Sequence, residues 1–449
     1  MVNYLNILNL IQHFELIFTD YNTCIKWLFD LERAGVKYDL NNITAMLDFL
    51  GNPQNEFKSI HVAGTNGKGT VCSIINSMLI EAGKSTGLYT SPHVLDFRER
   101  VVVNKRMISK KFVIDFTNKL VPLIEEIKPS FYEVNTAMAF EYFRYKKVEY
   151  AVVETGLGGR LDSTNVIMPI ISVITSIAIE HVEYLGGTIE KIAFEKAGIV
   201  KEGVPCVVGK LQPEAFNVIK KRAKELNAPL YKSQDNAKVE IEKYGNLGFT
   251  FNITSSGKKI EGIKFPMKGD YQRMNIATSY IAMKIIAERQ GIKLTDKIVK
   301  KAFTHLIANS FFHGRFQTIR QKPKIILDVS HNPQALSNLR ESIRSVEHDK
   351  LFVLFGLLKD KDHKRCIEIM EKLNAEIVLT KPDYKRASEP EDLFEFVTKK
   401  EKFVVEGDFV KAVEHIKNKI NNNDLLLITR SFFIVSDFLA IVNKYYKSD

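Results

Sequence analysis

The chain has 449 residues, 45% hydrophobic and 26% charged, with a formal net charge of +11, a length that predicts two domains with a core each. No apolar run approaches the ~20 residues of a membrane helix, Met1–Phe18 lacks the basic n-region of a signal peptide, and Cys24, Cys72, Cys206 and Cys366 follow no metal or disulfide spacing, as expected of a cytoplasmic protein. The lysines are spread along the chain, so the positive charge reads as a solvated surface and no nucleic-acid partner is expected.

A helical segment is expected before Tyr21. Between Tyr21 and Phe49, Ile25, Leu28, Phe29, Leu31 and Leu47 are candidate core positions around the polar turn Gly35–Leu40. The next stretch organises the chain. A short strand, Ile60–Ala63, runs into the turn Gly64-Thr-Asn-Gly-Lys-Gly-Thr70. Behind it Val71, Ile74, Ile75, Met78, Leu79 and Ala82 mark one apolar helix face closed by Gly83. Strand, glycine turn and helix are a recipe for a phosphate cradle. Glycines let backbone N–H groups close on the anion, the helix N-terminus adds positive potential, and Lys68 reaches the outer phosphates. The turn departs from G-x-x-x-x-G-K-[ST] because Gly69 separates Lys68 from Thr70.

Beyond it, Ser85–His93 reads as a strand ending in an exposed loop, since Pro92 holds Ser91 extended. Phe131–Tyr145 reads as a helix. Tyr150–Thr155 is a buried strand ending in a carboxylate, so Glu154 is expected near the phosphates at the carboxyl edge of a parallel sheet. Strand Ile170–Ile177 leads to Glu180-His181, a helix carries Glu195–Gly198, and Val204–Val208 is another strand. Alternating runs within 230–265 predict antiparallel ribbons, followed by a helix at Gln272–Gln290. Asn309–Gln317 is the expected hinge, dividing the chain at 1–310 and 311–449. Strands Lys324–Val329, Leu351–Phe355, Glu376–Thr380, Lys402–Val405 and Asp424–Thr429 then alternate with helical stretches, as in an open, mainly parallel sheet.

The order of motifs resembles the folylpolyglutamate synthase/dihydrofolate synthase family of the Mur ligase superfamily. They are His61–Thr70, Thr90-Ser-Pro-His93, Glu154–Asp162, His181 before Leu185-Gly186, Glu195–Gly198, Gly314-Arg315, Leu327–Pro333 and Gly356–Asp362. The resemblance runs from about Tyr21 to near the C-terminus. It implies an α/β fold: a P-loop ATPase-type domain with a mainly parallel sheet and a small antiparallel region, followed by a smaller Rossmann-like domain. It also implies ATP-dependent addition of L-glutamate to a folate or to dihydropteroate through an acyl phosphate, by a monomer.

The same resemblance implies residue roles. Gly64, Asn66, Gly67, Lys68, Gly69 and Thr70 hold the triphosphate, with Asn275 near the adenine and Arg315 and Asp328 near ATP. Ser91, Glu154 and His181 coordinate Mg2+, and Lys196, as a carbamate, helps to hold a second Mg2+. Lys68, Lys196, Asp328 and His331 form the catalytic set. Tyr38, Asp39, Leu40, Leu161, Asp162 and Ser163 bind the pterin, while His331 and Ser431 bind glutamate. Two positions depart from the family: Glu180 replaces an aspartate before His181, and Arg430 replaces a glycine beside Ser431, where it is a candidate for recognising a polyglutamate tail.

Rival readings rest on less. Thr380-Lys-Pro-Asp383 mimics a guanine-reading motif, but it lies far in sequence from the phosphate turn. A Mur-type ligase for a cell-wall peptide precursor is the closer alternative, but the Gly67-Lys-Gly-Thr70 form of the turn and the run Leu157–Asp162 favour folate.

Overall fold

A computed structural model describes residues 18–31, 39–245, 248–330, 332–359, 361–382, 384, 386–429, 434, 435 and 438, and these form three sheets. The largest has the order β4-β3-β2-β5-β1-β6-β7-β8. Its strands are β1 (Lys58–Ala63), β2 (Thr86–Tyr89), β3 (Val101–Val103), β4 (Arg106–Met107), β5 (Tyr150–Glu154), β6 (Pro169–Ile174), β7 (Cys206–Val208) and β8 (Leu230–Lys232). From β2 to β8 the pairing is parallel, and β3 and β4 turn back as an antiparallel edge.

Strands β1 and β5 are buried on both faces, which explains their continuous apolar character. Helices Lys68–Glu81 and Gln272–Gln290 cover one face. Lys110–Ile127 and Phe131–Tyr145 cover the other. The sequence reads a single apolar face on the Lys68–Glu81 helix, but its polar positions are buried too. Helices Asp296–Thr304 and Leu306–Ser310 pack there, and the hydroxyl of Ser77 donates to Ala302 O at 2.7 Å while Asn76 donates to Asn309 O at 3.3 Å. Those two bonds offset part of the cost of burying polar groups there.

Strands β9 (Lys238–Tyr244), β10 (Phe249–Ser255) and β11 (Lys258–Phe265) form a separate antiparallel sheet. The predicted ribbon therefore begins later than residue 230, because β8 pairs with β7 in the main sheet. The third sheet runs β12-β13-β17-β14-β15-β16, with β12 (Gln317–Gln321), β13 (Lys324–Asp328), β14 (Leu351–Phe355), β15 (Glu376–Leu379), β16 (Phe403–Val405) and β17 (Leu425–Thr429). All but β12 are parallel, and apolar clusters lie on both faces. Sequence periodicity missed β12, whose polar residues suit an exposed antiparallel edge. The expected opening helix before Tyr21 falls mostly outside the described residues.

Candidate active site

The carboxyl ends of β1, β2, β5 and β6 lie side by side, and the loops leaving them build the site. The phosphate turn leaves β1. Gly64 has φ 149°, and a Cβ there would run into Thr175 Oγ1. Gly67, at φ 88°, caps the Lys68–Glu81 helix with its backbone against the Asn275 side chain. Both positions therefore require glycine. Asn275 props the turn and donates to Gln272 Oε1 at 2.8 Å. Thr175 and Ser176 hydroxyls donate to Asn66 O at 2.7 and 2.9 Å, fixing the loop from β6. Lys68 Nζ lies across the mouth of the turn, 2.8 Å from Gly64 O and 3.3 Å from Thr65 O. Thr70 is buried in the first helical turn. A helix N-terminus beside an ammonium is an arrangement that suits an anion.

Glu154 ends β5 and is buried, and its Oε2 accepts from Ser91 N at 3.1 Å. Gly69 leaves it room, since a Cβ there would approach Glu154 Oε2 to 3.6 Å and Phe312 to 3.2 Å. Burial pushes the Glu154 carboxyl up, against the pull of Lys68 and Arg315. Gly69, Ser91, Glu154 and Arg315 line a small cavity of ≈ 30 Å³. His181, at φ 45° and half-buried, opens the Val182–Leu185 helix and faces the main cleft. Among the described residues no three His, Cys, Asp or Glu side chains gather as a metal cage. Mg2+ needs only one or two protein carboxylates, with phosphates and water completing its shell, so the donors present fit it.

Lys196 is among the largest fully buried side chains, and its Nζ meets Glu180 Oε1 at 2.7 Å. Burial pushes this amine down even though Glu180 pulls it up. Burial raises the Glu180 carboxyl, but Lys196 and Lys68 outweigh it and hold it at about 2. The longer arm of Glu180 thus reaches the very lysine singled out from the sequence.

Leu161, Asp162 and Ser163 line a cleft of ≈ 1470 Å³ between the two larger sheets' domains. Asp162 acts on its own loop. One carboxylate oxygen accepts from Gly156 N and Leu157 N at 2.9 and 2.8 Å, and the other accepts from Thr164 N and the Thr164 hydroxyl. His61 Nε2 lies 2.8 Å from Thr164 Oγ1, so a buried His61–Thr164–Asp162 chain supports the loop. Asp39 and Leu40, expected beside it, are not part of this cleft wall. Asp39 Oδ1 accepts from Asn41 N at 2.9 Å at the start of the next helix, and Leu40 packs on the helical core.

Sequence reasoning passed over other parts of the wall. Arg100 Nε donates to His93 Nδ1 at 2.9 Å, and its guanidinium lies 5.2 Å from the Phe131 ring centroid. Tyr132 donates its hydroxyl to Glu154 O at 3.2 Å. Asn332, the neighbour of His331, reaches back to the phosphate turn and donates Nδ2 to Asn66 Oδ1 at 3.0 Å. Asp328 accepts from Phe316 N and Ser330 N, both at 2.8 Å. It thereby fixes the segment carrying Arg315, whose charge acts on both Asp328 and Glu154. Arg315, Asp328 and Asn332 fall in the runs Gly314-Arg315 and Leu327–Pro333, and His93 in Thr90–His93, whereas Arg100 and Tyr132 carried no such signal. Tyr38, His331, Arg430 and Ser431 lie outside the described residues, as does Asp383, while Lys381 pairs with Glu389 at 2.8 Å in the loop after β15 of the third sheet.

Residues 62–283 match the Mur ligase middle domain and residues 314–432 match the Mur ligase, glutamate ligase domain. The dihydrofolate synthase/folylpolyglutamate synthase of Bacillus subtilis is 34% identical over 429 residues, covering 94% of this chain and 99% of its own. The folylpolyglutamate synthase of Lacticaseibacillus casei is 32% identical over 77% of this chain and 81% of its own. Among solved structures, Mycobacterium tuberculosis folylpolyglutamate synthase complexed with ADP has a TM-score of 0.86 at 26% identity, covering 94% of this chain and 99% of that one. The Thermotoga maritima enzyme has a TM-score of 0.79 at 30% identity, covering 96% and 98%.

Proposed function

This chain belongs to the folylpolyglutamate synthase/dihydrofolate synthase family of Mur ligases, ATP-dependent enzymes that join L-glutamate to a folate or to dihydropteroate, and on that premise we propose how its residues divide the work. The observation that carries the reading is that Gly69 of the phosphate turn, Glu154 and Arg315 line one small cavity, which shares Ser91 and Pro92 with the wall of the larger cleft.

The acceptor lies with its pterin end toward Leu161–Ser163 and the Phe131–Tyr132 aromatic wall. Its carboxylate oxygen attacks the γ-phosphorus of ATP, ADP leaves, and an acyl phosphate forms. The amine of glutamate then attacks the acyl carbon, phosphate leaves with the C–O electron pair, and an amide remains. Phosphoryl transfer is mainly positioning and charge neutralisation. The Gly64–Thr70 backbone and Lys68 hold the phosphates, and Arg315 faces the transferring group. Ser91, Glu154 and His181 would hold Mg2+, which would supply positive charge to offset that of the phosphates. Lys196 as a carbamate would supply oxygens for a second Mg2+. Its depressed amine and full burial support that reading, because carbon dioxide adds to a neutral amine. Converting it would place two anions, the carbamate and Glu180, side by side, an arrangement that a second cation stabilises.

The family likeness assigns Asp328, at the end of β13, and His331 to the glutamate side, and Ser431 to binding the amino acid. One chain encloses the cleft, which supports a monomer, and four buried free cysteines support a reducing cytoplasm. The test is glutamate-dependent phosphate release from ATP with dihydropteroate, tetrahydrofolate or a murein peptide precursor. Turnover with either of the first two is expected. Turnover with the murein precursor alone would overturn the assignment.

A further inference from the structure

Asn66 sits in the middle of the phosphate turn, and the family likeness counts it among the residues that hold the triphosphate. Every polar group it carries already has a protein partner. Its N–H donates to Ser176 Oγ at 2.9 Å, and its carbonyl accepts from the Thr175 and Ser176 hydroxyls at 2.7 and 2.9 Å. Its side chain turns to the second domain. There Oδ1 accepts from Asn332 Nδ2 at 3.0 Å, and Nδ2 lies 3.4 Å from both Asn332 Oδ1 and Gln334 Oε1. The partner is itself fixed. Asn332 is buried and caps the Pro333–Ile343 helix, its Oδ1 accepting from Ala335 N at 2.9 Å. That cap bond decides which way the amide faces, so Nδ2 is the group left to donate to Asn66. Asn332 and Gln334 also line the main cleft.

We propose that Asn66 is a positioning residue and not a phosphate ligand: with Asn332 it forms a clasp that sets the phosphate turn of the first domain against the N-terminus of the second domain's Pro333–Ile343 helix. The inference deepens the ligase reading above and rests on it. The acyl phosphate is made beside the turn, whereas Asp328 and His331, assigned to the glutamate side, precede Asn332 directly in the second domain. Amide formation needs the amine held at the acyl carbon. Where the two halves are loosely set, water attacks that carbon first, phosphate leaves with the C–O electron pair and the acid is returned. The clasp grips the backbone of the turn through Thr175 and Ser176 on one side and a helix cap on the other, so it passes the position of one half to the other. An uncharged amide pair suits the place, because it adds no charge beside the triphosphate.

The experiment compares wild type with Asn66→Ala, Asn332→Ser and the double variant. Serine keeps the helix cap but falls short of Asn66. Calorimetry reads the affinity for a non-hydrolysable ATP analogue, and turnover with tetrahydrofolate reads KM for glutamate and the phosphate released per amide formed. All three variants should bind the analogue as wild type does. Their KM for glutamate should rise about three- to tenfold, the factor that one or two hydrogen bonds are worth, and more phosphate should be released per amide. The double variant should be no worse than Asn66→Ala, since both substitutions cut the same contact. Weakened analogue binding in Asn66→Ala, with wild-type binding in Asn332→Ser, overturns the proposal and returns Asn66 to the phosphates. Wild-type KM and coupling in Asn332→Ser overturn it as well, and both outcomes leave the ligase reading standing. Absence of glutamate-dependent phosphate release by wild type with every acceptor removes that reading and the clasp's role with it.

Discussion

Lys196 Nζ lies 2.7 Å from Glu180 Oε1, with both side chains almost completely withdrawn from solvent. The lysine belongs to the Ile189–Ala197 helix and the glutamate to the loop after β6, so the contact ties that helix to that loop. A buried pair of this kind is weak evidence for stability but strong evidence that the amine is held at a chosen point.

The first prediction follows from that placement. Lys196→Ala should lose nearly all turnover, and acetate or formate should restore part of it by returning carboxylate oxygens to the vacated space. Reversible loss of wild-type activity on bicarbonate depletion should accompany this. A wild-type rate in Lys196→Ala without added acid would show that the residue only packs.

Lys68 spans the phosphate turn through Gly64 O and Thr65 O, and its own ammonium is only part-buried at the mouth of the turn. Lys68→Ala should therefore abolish turnover while leaving the melting temperature within a few degrees of wild type. Loss of binding of a non-hydrolysable ATP analogue, measured by calorimetry, should parallel the lost rate. Full activity in the folded variant would remove the phosphate assignment.

Glu154→Gln and His181→Ala should each raise the Mg2+ concentration for half-maximal rate, by about tenfold for the carboxylate and less for the imidazole, since Mg2+ prefers hard oxygen donors. Titration of Mg2+ at saturating ATP reads the effect. Unchanged dependence in both variants would make the two side chains structural.

His61 provides a pH signature. Its imidazole is fully buried against Thr164, which in turn bonds Asp162, and burial pushes its pKa down to about 3, with Lys201 adding to the shift. A histidine whose folded pKa lies below its unfolded value leaves the native state most stable above about 6.5, and that contribution fades as pH falls toward 3. His61→Asn should flatten the fall of the melting temperature between pH 6.5 and 4, the window given by those pKa values. An equally steep fall in the variant would assign the acid lability to other groups.

Much of the site was legible in the linear order of the residues. Gly64, Gly67, Lys68 and Thr70 occupy a short run whose backbone demands glycine and whose helix start demands an anion, so local physics sufficed. Glu154 was legible because a parallel strand places its last residue at the ligand edge. The helices Phe131–Tyr145 and Gln272–Gln290 appear with the bounds their periodicity predicts. The pairing partners did not appear there, because side-chain partnership depends on which loops the fold brings together. Asn66 meets Asn332 across 266 residues, and Asn76 reaches Asn309 across 233. Glu180 looked like a small departure from its family until the β6 loop set it against Lys196. Asp39, expected beside the pterin, accepts from Asn41 N at 2.9 Å, a local bond that its position in the sequence did not announce. A cationic cleft wall, made by Lys361, Arg365, Lys372 and Arg386, was invisible among evenly scattered basic residues. Only the tertiary structure decided it, because helix periodicity and the Leu358–Ala387 bridge turn those four charges toward one cleft.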